Sequence, residues 1–355
     1  MRWDWKAVLG IAVSAILIWW VLRGVDLGQV WTEIRGAHWG LLLAAIAVAT
    51  SGFAVRAMRW KLLLHPLRAG TGFRSRFAAV NIGFSANNLL PARVGEFARA
   101  WSISRMEPVT ASGAFGTLVV ERFLDAIAVC ALILVAVLHP DFPTDATIAG
   151  RPLASWIAAL AGLLGGLLVL VLILLFLPGV FLRIAGAAPR FLPGRTGERF
   201  VAMLEGFLSG LDSLRNPRLL AGALVWSFGF WGWNAVSFWL AFHAFGIDQG
   251  YAAALFVQGI IALGVAVPSA PGFFGTFHAA AVVALQEVFG VASGPTLAFA
   301  FGYHLGGFVP VTLMGLWYAG QLGITLSDLG HADERVDAES AGPASEPGPT
   351  GEESE

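Results

Sequence analysis

The chain has 355 residues, of which 57% are hydrophobic and only 13% charged. That balance, with several apolar runs longer than an ordinary core helix, excludes a soluble globule and points to an all-α polytopic membrane protein. The net charge of −1 hides a basic membrane part followed by an acidic last segment. The lone cysteine, Cys130, rules out a disulfide framework. The seven histidines are scattered, so neither metal nor other cofactor is expected.

Arg2 and Lys6 precede the first apolar stretch. No small-residue cleavage site stands in a convincing register, so this stretch is read as a retained first helix. Residues 6–22, 39–57, 109–138, 153–177, 218–245 and 295–320 each approach the ~20 residues a bilayer requires and are predicted as six full spans. Two other apolar stretches, 77–98 and 251–290, are interrupted by polar residues and by the matching patterns Pro91-x-x-x-Gly95-x-Phe97 and Pro271-x-x-x-Gly275-x-Phe277. Proline removes a backbone donor and glycine tolerates unusual dihedrals, so each pattern predicts a broken helix, read here as a re-entrant hairpin. For 251–290 a pair of short spans gives the same sidedness. Tryptophans such as Trp19, Trp20, Trp39, Trp156 and Trp317 gather at run ends, as an aromatic belt would.

Nine Lys and Arg residues lie from Arg56 to Arg105 and six from Arg183 to Arg218, while the alternate connections are poor in both. The basic stretches are therefore expected to be cytoplasmic, with both termini inside an inner cell membrane. This orientation makes the order of elements in residues 1–140 recur with opposite polarity in 150–322, an inverted-topology repeat within a transmembrane domain of residues 1–325. Residues 195–215 read as a cytoplasmic amphipathic helix. Residues 326–355, acidic and rich in Gly, Pro and Ser, read as a disordered tail.

Ionisable groups deep in an apolar helix are functional candidates by default. The predicted third span carries Glu121, Arg122 and Asp125, with Glu121 and Asp125 on one face. They serve either a substrate or a structural ion network; both readings stand. The first hairpin adds Asn87 and Asn88 before its break and Arg93 and Glu96 after it. An arginine beside a helix N-terminus suits an anionic phosphate, whereas simple capping and a local ion pair are the plainer alternative. The second hairpin offers Pro271, Gly275 and His278. His304 is a further titratable candidate, and Asn234, Gln258 and Glu287 are read as interhelical or interface groups.

Asn87-Asn88-Leu-Leu-Pro91-Ala-Arg93-Val-Gly95-Glu96, then Glu121-Arg122-x-x-Asp125, then Pro268-x-x-Pro271-Gly-x-x-Gly275 resemble the lysylphosphatidylglycerol synthase transmembrane-region family over roughly residues 5–325. The resemblance implies about eight hydrophobic helices, two of them re-entrant, around a lipid-accessible cavity. It also implies a flippase-like role in moving a lipid or lipid-linked headgroup between leaflets. Where family members have His or Glu after the second glycine motif, this chain has Thr276-Phe277-His278, which puts an acidic role there in doubt. The bifunctional synthase carries a large aminoacyl-transferase domain, and without one the chain is not expected to aminoacylate lipid.

The leading expectation is thus a lipid translocase that is not an enzyme, with no catalytic residue. Its expected partner is an anionic phospholipid, a hopanoid or a polyprenyl-linked substrate, and not nucleic acid. A second copy or a lipid-synthesis protein is a further candidate partner. The alternatives are a membrane-embedded transferase on a polyprenyl-phosphate substrate, which would use Glu96 with Arg93 or Glu121 with Arg122, and a non-transporting scaffold.

Overall fold

A computed structural model describes residues 5–176, 216–267 and 269–340. The predicted amphipathic helix at 195–215 lies outside these residues. All six stretches read as spans are helical: α1 (Trp5–Leu22), α3 (Trp39–Leu64), α6 (Ala111–Val137), α7 (Leu153–Phe176), α8 (Pro217–Ala244) and α11 (Ser293–Gln321). A short α2 (Leu27–Gly36) follows α1 at an angle of 85°, its first turn capped by the Asp26 carboxylate. Helices α3, α7, α8 and α11 are each long and apolar enough to cross a bilayer, and the bent α1–α2 pair makes a fifth candidate. The 27 residues of α6 reach about 40 Å at 1.5 Å per residue, but three ionisable residues interrupt its apolar sequence. The chain is an all-α, multi-pass membrane protein; among the described residues the β-strands Thr147–Ile148 and Arg151–Pro152 form only a tiny hairpin between α6 and α7.

Both predicted breaks occur. Helix α4 (Phe73–Leu89) ends at a 3₁₀ turn, Pro91–Arg93, and the chain returns as α5 (Gly95–Ser104). In the second half α9 (Tyr251–Gly264) leads to the turn Pro271–Phe273, then α10 (Thr276–Val282) and a wider π turn over Val283–Val288. With 17 residues α4 reaches only about 25 Å, short of a ~30 Å hydrocarbon core. The folding-back of the first hairpin depends on glycine. A Cβ at Gly95 would stand 2.1 Å from the Gly83 carbonyl oxygen, and one at Gly83 would stand 2.6 Å from that of Gly95.

Helices α3 and α8 pack along each other in opposite directions. The His38 amide before α3 donates to the carbonyl of Ala244 at the end of α8, and Gly222 near the start of α8 lies beside Leu62 near the end of α3. The first hairpin opens at the Leu62 end, where Arg76 Nε donates to the Ala57 carbonyl. The second opens at the Ala244 end, and the π turn that closes it is tied by Glu287 to the Ala149 amide of the small β-hairpin. The two turns meet between these ends. Contacts recur across the halves as well: α4 packs on α11 as α9 packs on α6, and α3 on α4 as α8 on α9.

Two expectations need correction. The helix predicted at 39–57 runs on to Leu64, because Arg56 and Arg59 are buried inside the bundle rather than marking its edge. The tail is not irregular from residue 326. Leu326–Gly330 and Ala332–Ser340 form α12 and α13, which start on a Thr325–Asp328 capping box and bury Leu329, Ala332 and Val336 against the α4–α5 hairpin and α6.

Candidate functional site: a cationic cavity between the hairpins

Between α3, the α4–α5 hairpin, α6, α8, the α9–α10 hairpin and α11 lies a cavity of about 460 Å³, within the range of small-molecule sites. Its wall is largely aromatic and aliphatic, with Phe53, Phe84, Phe230, Phe238 and Phe308 among the lining residues. Of the predicted site residues, Asn87, Asn88, Arg93, Glu96, Arg122 and Asp125 line it. Glu121 stands behind the wall, wholly buried. Pro271 and Gly275 shape the second turn without lining the cavity; Phe273 between them does line it.

The polar side of the wall is one ion network. Arg59, with no solvent exposure, spans both carboxylates: its Nη1 donates to Asp125 Oδ1 and to Ser227 Oγ (2.9 Å), and its Nη2 lies 3.1 Å from Glu121 Oε1. Arg99 grips Glu121 bidentately at 2.8 and 2.9 Å, with its guanidinium 4.0 Å from the centre of the Trp60 ring. Arg122 Nη2 reaches Glu121 Oε1 at 3.0 Å, and Trp231 Nε1 donates to Asp125 at 3.1 Å. Arg56 is held loosely, at 3.4 Å from Asp125 and 3.6 Å from Glu121, with its guanidinium 3.9 Å from the Phe230 ring centre. Buried carboxylates of this kind persist only because cations and donors replace their water.

Sequence reasoning missed Arg56, Arg59 and Arg99. It counts them with the basic stretch from Arg56 to Arg105 expected on the cytoplasmic side, yet three leucines, Leu62–Leu64, follow Arg59 and show that the apolar helix has not ended. Arg76 was miscounted too: it is buried, with Nη1 on Thr71 Oγ1 at 2.8 Å. Of the nine basic residues from Arg56 to Arg105, only Lys61, Arg68, Arg74 and Arg105 are exposed.

The amides play local roles. Asn87 Oδ1 accepts from the Gly95 amide at 2.8 Å, and its Nδ2 donates to Glu96 at 3.3 Å, so it caps the start of α5. Asn88 donates to Thr312 Oγ1 on α11 at 2.8 Å. Asn234 and Gln258 pair at 3.0 Å across α8 and α9. Arg93 Nη1 donates to the carbonyls of Val265 (2.9 Å) and Ala266 (2.8 Å), just past the end of α9, so it joins the tips of the two hairpins.

His278 does not line the cavity. It is fully buried among aromatic rings, 4.1 Å from the Phe301 centroid and 5.2 Å from that of His304, with Nδ1 accepting from the Gly275 amide. His304, stacked on Phe277 at 4.4 Å, is the histidine that does reach the wall.

Residues 7–315 match the family model described as the lysylphosphatidylglycerol synthase TM region. Two UPF0104 membrane proteins of Methanothermobacter thermautotrophicus are similar along nearly their whole length. One is 24% identical over 88% of this chain and 93% of the relative, the other 22% identical over 91% and 97%. A UPF0104 membrane protein of Methanocaldococcus jannaschii is 25% identical over a shorter stretch, 34% of this chain and 36% of the relative. With the family model matching over nearly its whole length, the chain belongs to the lysylphosphatidylglycerol synthase TM-region family.

Proposed function

We propose that this protein is a lipid translocase of the cell membrane, a transporter rather than an enzyme, whose cavity receives an anionic phosphate headgroup. The observation that carries this reading is the charge of the wall. Arg56, Arg93 and Arg122 reach the cavity, whereas its carboxylates are few and Asp125 is already engaged by Arg59 and Trp231. Guanidinium forks match phosphate oxygens geometrically, and the phenylalanine-rich remainder suits acyl chains. The Asp125 and Glu121 carboxylates are held by several donors, so they organise the arginines, and a transferase would have to take its base from Glu96, which accepts from Asn87 Nδ2 at 3.3 Å at the start of α5.

The transport reading includes an inverted repeat with two re-entrant hairpins meeting at the membrane midplane, where alternating access is commonly organised. Hairpins that open at opposite ends of the antiparallel α3–α8 pair support it. This reading puts both termini in the cytoplasm; the exposed Lys61, Arg68, Arg74, Arg105 and Arg218, at the helix ends where α3 finishes and α8 begins, support it.

The test is reconstitution into liposomes with a leaflet-resolved assay of labelled anionic phospholipid. Wild type should move the lipid, and Arg122→Gln, correctly inserted, should lose most of that activity. Undiminished transport by Arg122→Gln would overturn the phosphate-receptor role.

A further inference from the structure

From the charge count around the cavity we infer that its ligand is a lipid ending in a phosphomonoester, which carries two negative charges, in preference to a phosphodiester lipid with one. The inference rests on the phosphate-receptor reading and deepens it.

Five arginines, Arg56, Arg59, Arg93, Arg99 and Arg122, surround three carboxylates, Glu96, Glu121 and Asp125. Guanidinium does not deprotonate in proteins, so the assembly carries two positive charges more than its carboxylates neutralise. Arg59 and Arg99 are spent on Asp125 and Glu121. The surplus lies at the wall. Arg56 has only the long carboxylate contacts, Arg93 faces neutral carbonyls, and Arg122, held to Glu121 through Nη2 at 3.0 Å, keeps its buried Nε without a partner and 39% of its side chain exposed.

Uncompensated charge in a membrane bundle is costly. A singly charged phosphodiester relieves half of this surplus, a doubly charged phosphomonoester all of it, and a headgroup with a net positive charge adds to it. The same phosphate chemistry occurs on soluble esters and on inorganic phosphate. The apolar wall of Phe53, Phe84, Phe230 and Phe308 favours the lipid-borne form.

The second ionisation of a phosphomonoester falls near pH ~6, which supplies an internal test. Equilibrium binding to the purified full chain in detergent would be measured with radiolabelled dioctanoyl phosphatidic acid and dioctanoyl phosphatidylglycerol, at pH 5 and pH 8. Phosphatidic acid is expected to bind at least tenfold more tightly than phosphatidylglycerol at pH 8, about 1.4 kcal/mol, with the ratio shrinking towards unity at pH 5. Comparing two lipids on one protein cancels any titration of the protein itself. Arg122→Gln, checked for its elution profile and melting temperature, should lower this ratio.

Equal binding of the two lipids at both pH values would overturn the phosphomonoester preference and leave the phosphate cavity standing. Binding of neither lipid would overturn the cavity reading itself. Equal competition by glycerol 3-phosphate or inorganic phosphate would overturn the lipid assignment.

Discussion

Arg93 and Phe273 occupy the same place in the two Pro-x-x-x-Gly-x-Phe breaks, and they touch: the Arg93 guanidinium lies 5.5 Å from the centre of the Phe273 ring. Both take the left-handed backbone conformation that L-residues avoid, with φ of 56° and 61°. Each break forces its third residue into a strained turn and aims that side chain at the other hairpin. One half supplies a cation and two hydrogen bonds, the other a ring. The tips are thus joined by a contact between corresponding but chemically unlike residues.

Replacing Arg93 separates strain from contact. Arg93→Ala removes the hydrogen bonds to Val265 and Ala266 and keeps the strained φ. Arg93→Gly removes the same bonds but relieves the strain, worth about 1 kcal/mol. Both variants are expected to melt below wild type in detergent, Arg93→Gly above Arg93→Ala. The reverse order would mean that the turn relaxes when the side chain is lost.

Gly95→Ala should be among the most damaging small substitutions in the chain. Its Cβ would meet the Gly83 carbonyl at 2.1 Å and the Asn87 side chain at 2.5 Å, and backbone cannot step aside as a flexible side chain can. A loss of about 1–3 kcal/mol is expected from overpacking. Gly229→Ala, on an exposed face of α8 with nothing within 4 Å, should instead be neutral or slightly stabilising. Melting temperatures of the two variants side by side check this.

Much of the architecture was legible because membrane physics writes it in composition: run length gives helices, and Pro-Gly pairs give breaks. The site was half legible. Glu121, Arg122 and Asp125 stood out because their flanks are apolar on both sides. Arg56, Arg59 and Arg99 did not, since each lies near a basic connection and charge near a helix end normally snorkels to water. What buries them is the opposing α6 carboxylates, a tertiary fact. The helical start of the tail was missed for a related reason: its composition is polar, and it is held by three small or apolar contacts at Leu329, Ala332 and Val336.

Breaking the ion network from either side should be costly, but unequally. Glu121→Ala strips a carboxylate from Arg59, Arg99 and Arg122 at once, leaving buried cations unpaired at a cost of about 3–5 kcal/mol. Arg99→Ala removes one partner while Arg59 and Arg122 still serve Glu121, so it should cost less. The double variant should cost less than the sum of the two. Additive losses in thermal melts would show that Glu121 and Arg99 do not act as one unit.

The helical tail should detach in acid. Thr325 Oγ1 donates to Asp328 Oδ2 at 2.7 Å, and the Thr325 amide does so at 3.0 Å; these bonds, followed by nearby Arg335, hold the Asp328 carboxyl below its ordinary value of 3.8. Because the folded value is depressed, its stabilising effect is fully present above pH 3.8 and is lost as pH falls below it. Limited proteolysis of the tail by an acid-active protease should accelerate below that pH, and trypsin should cut Asp328→Ala faster than wild type at Arg335 already at neutral pH. Equal cleavage rates of wild type and Asp328→Ala at neutral pH would remove the capping box from the account of how α12 and α13 are held.

Orientation can be read with single cysteines introduced after Cys130→Ser, a buried position that should accept the similar-sized hydroxyl at modest cost. Arg68 follows α3 at the basic end of the bundle, whereas Asp141 follows α6 and Asp248 follows α8 at the other end; all three are exposed or partly so. Positive charge resists translocation, so the Arg68 end should stay inside. A membrane-impermeant maleimide added to intact cells should label Asp141→Cys and Asp248→Cys, and label Arg68→Cys only after permeabilisation. Labelling of Arg68→Cys in intact cells, with protection of the other two, would invert the whole assignment. It would also place the helical tail, which packs on the α4–α5 hairpin, outside the cell.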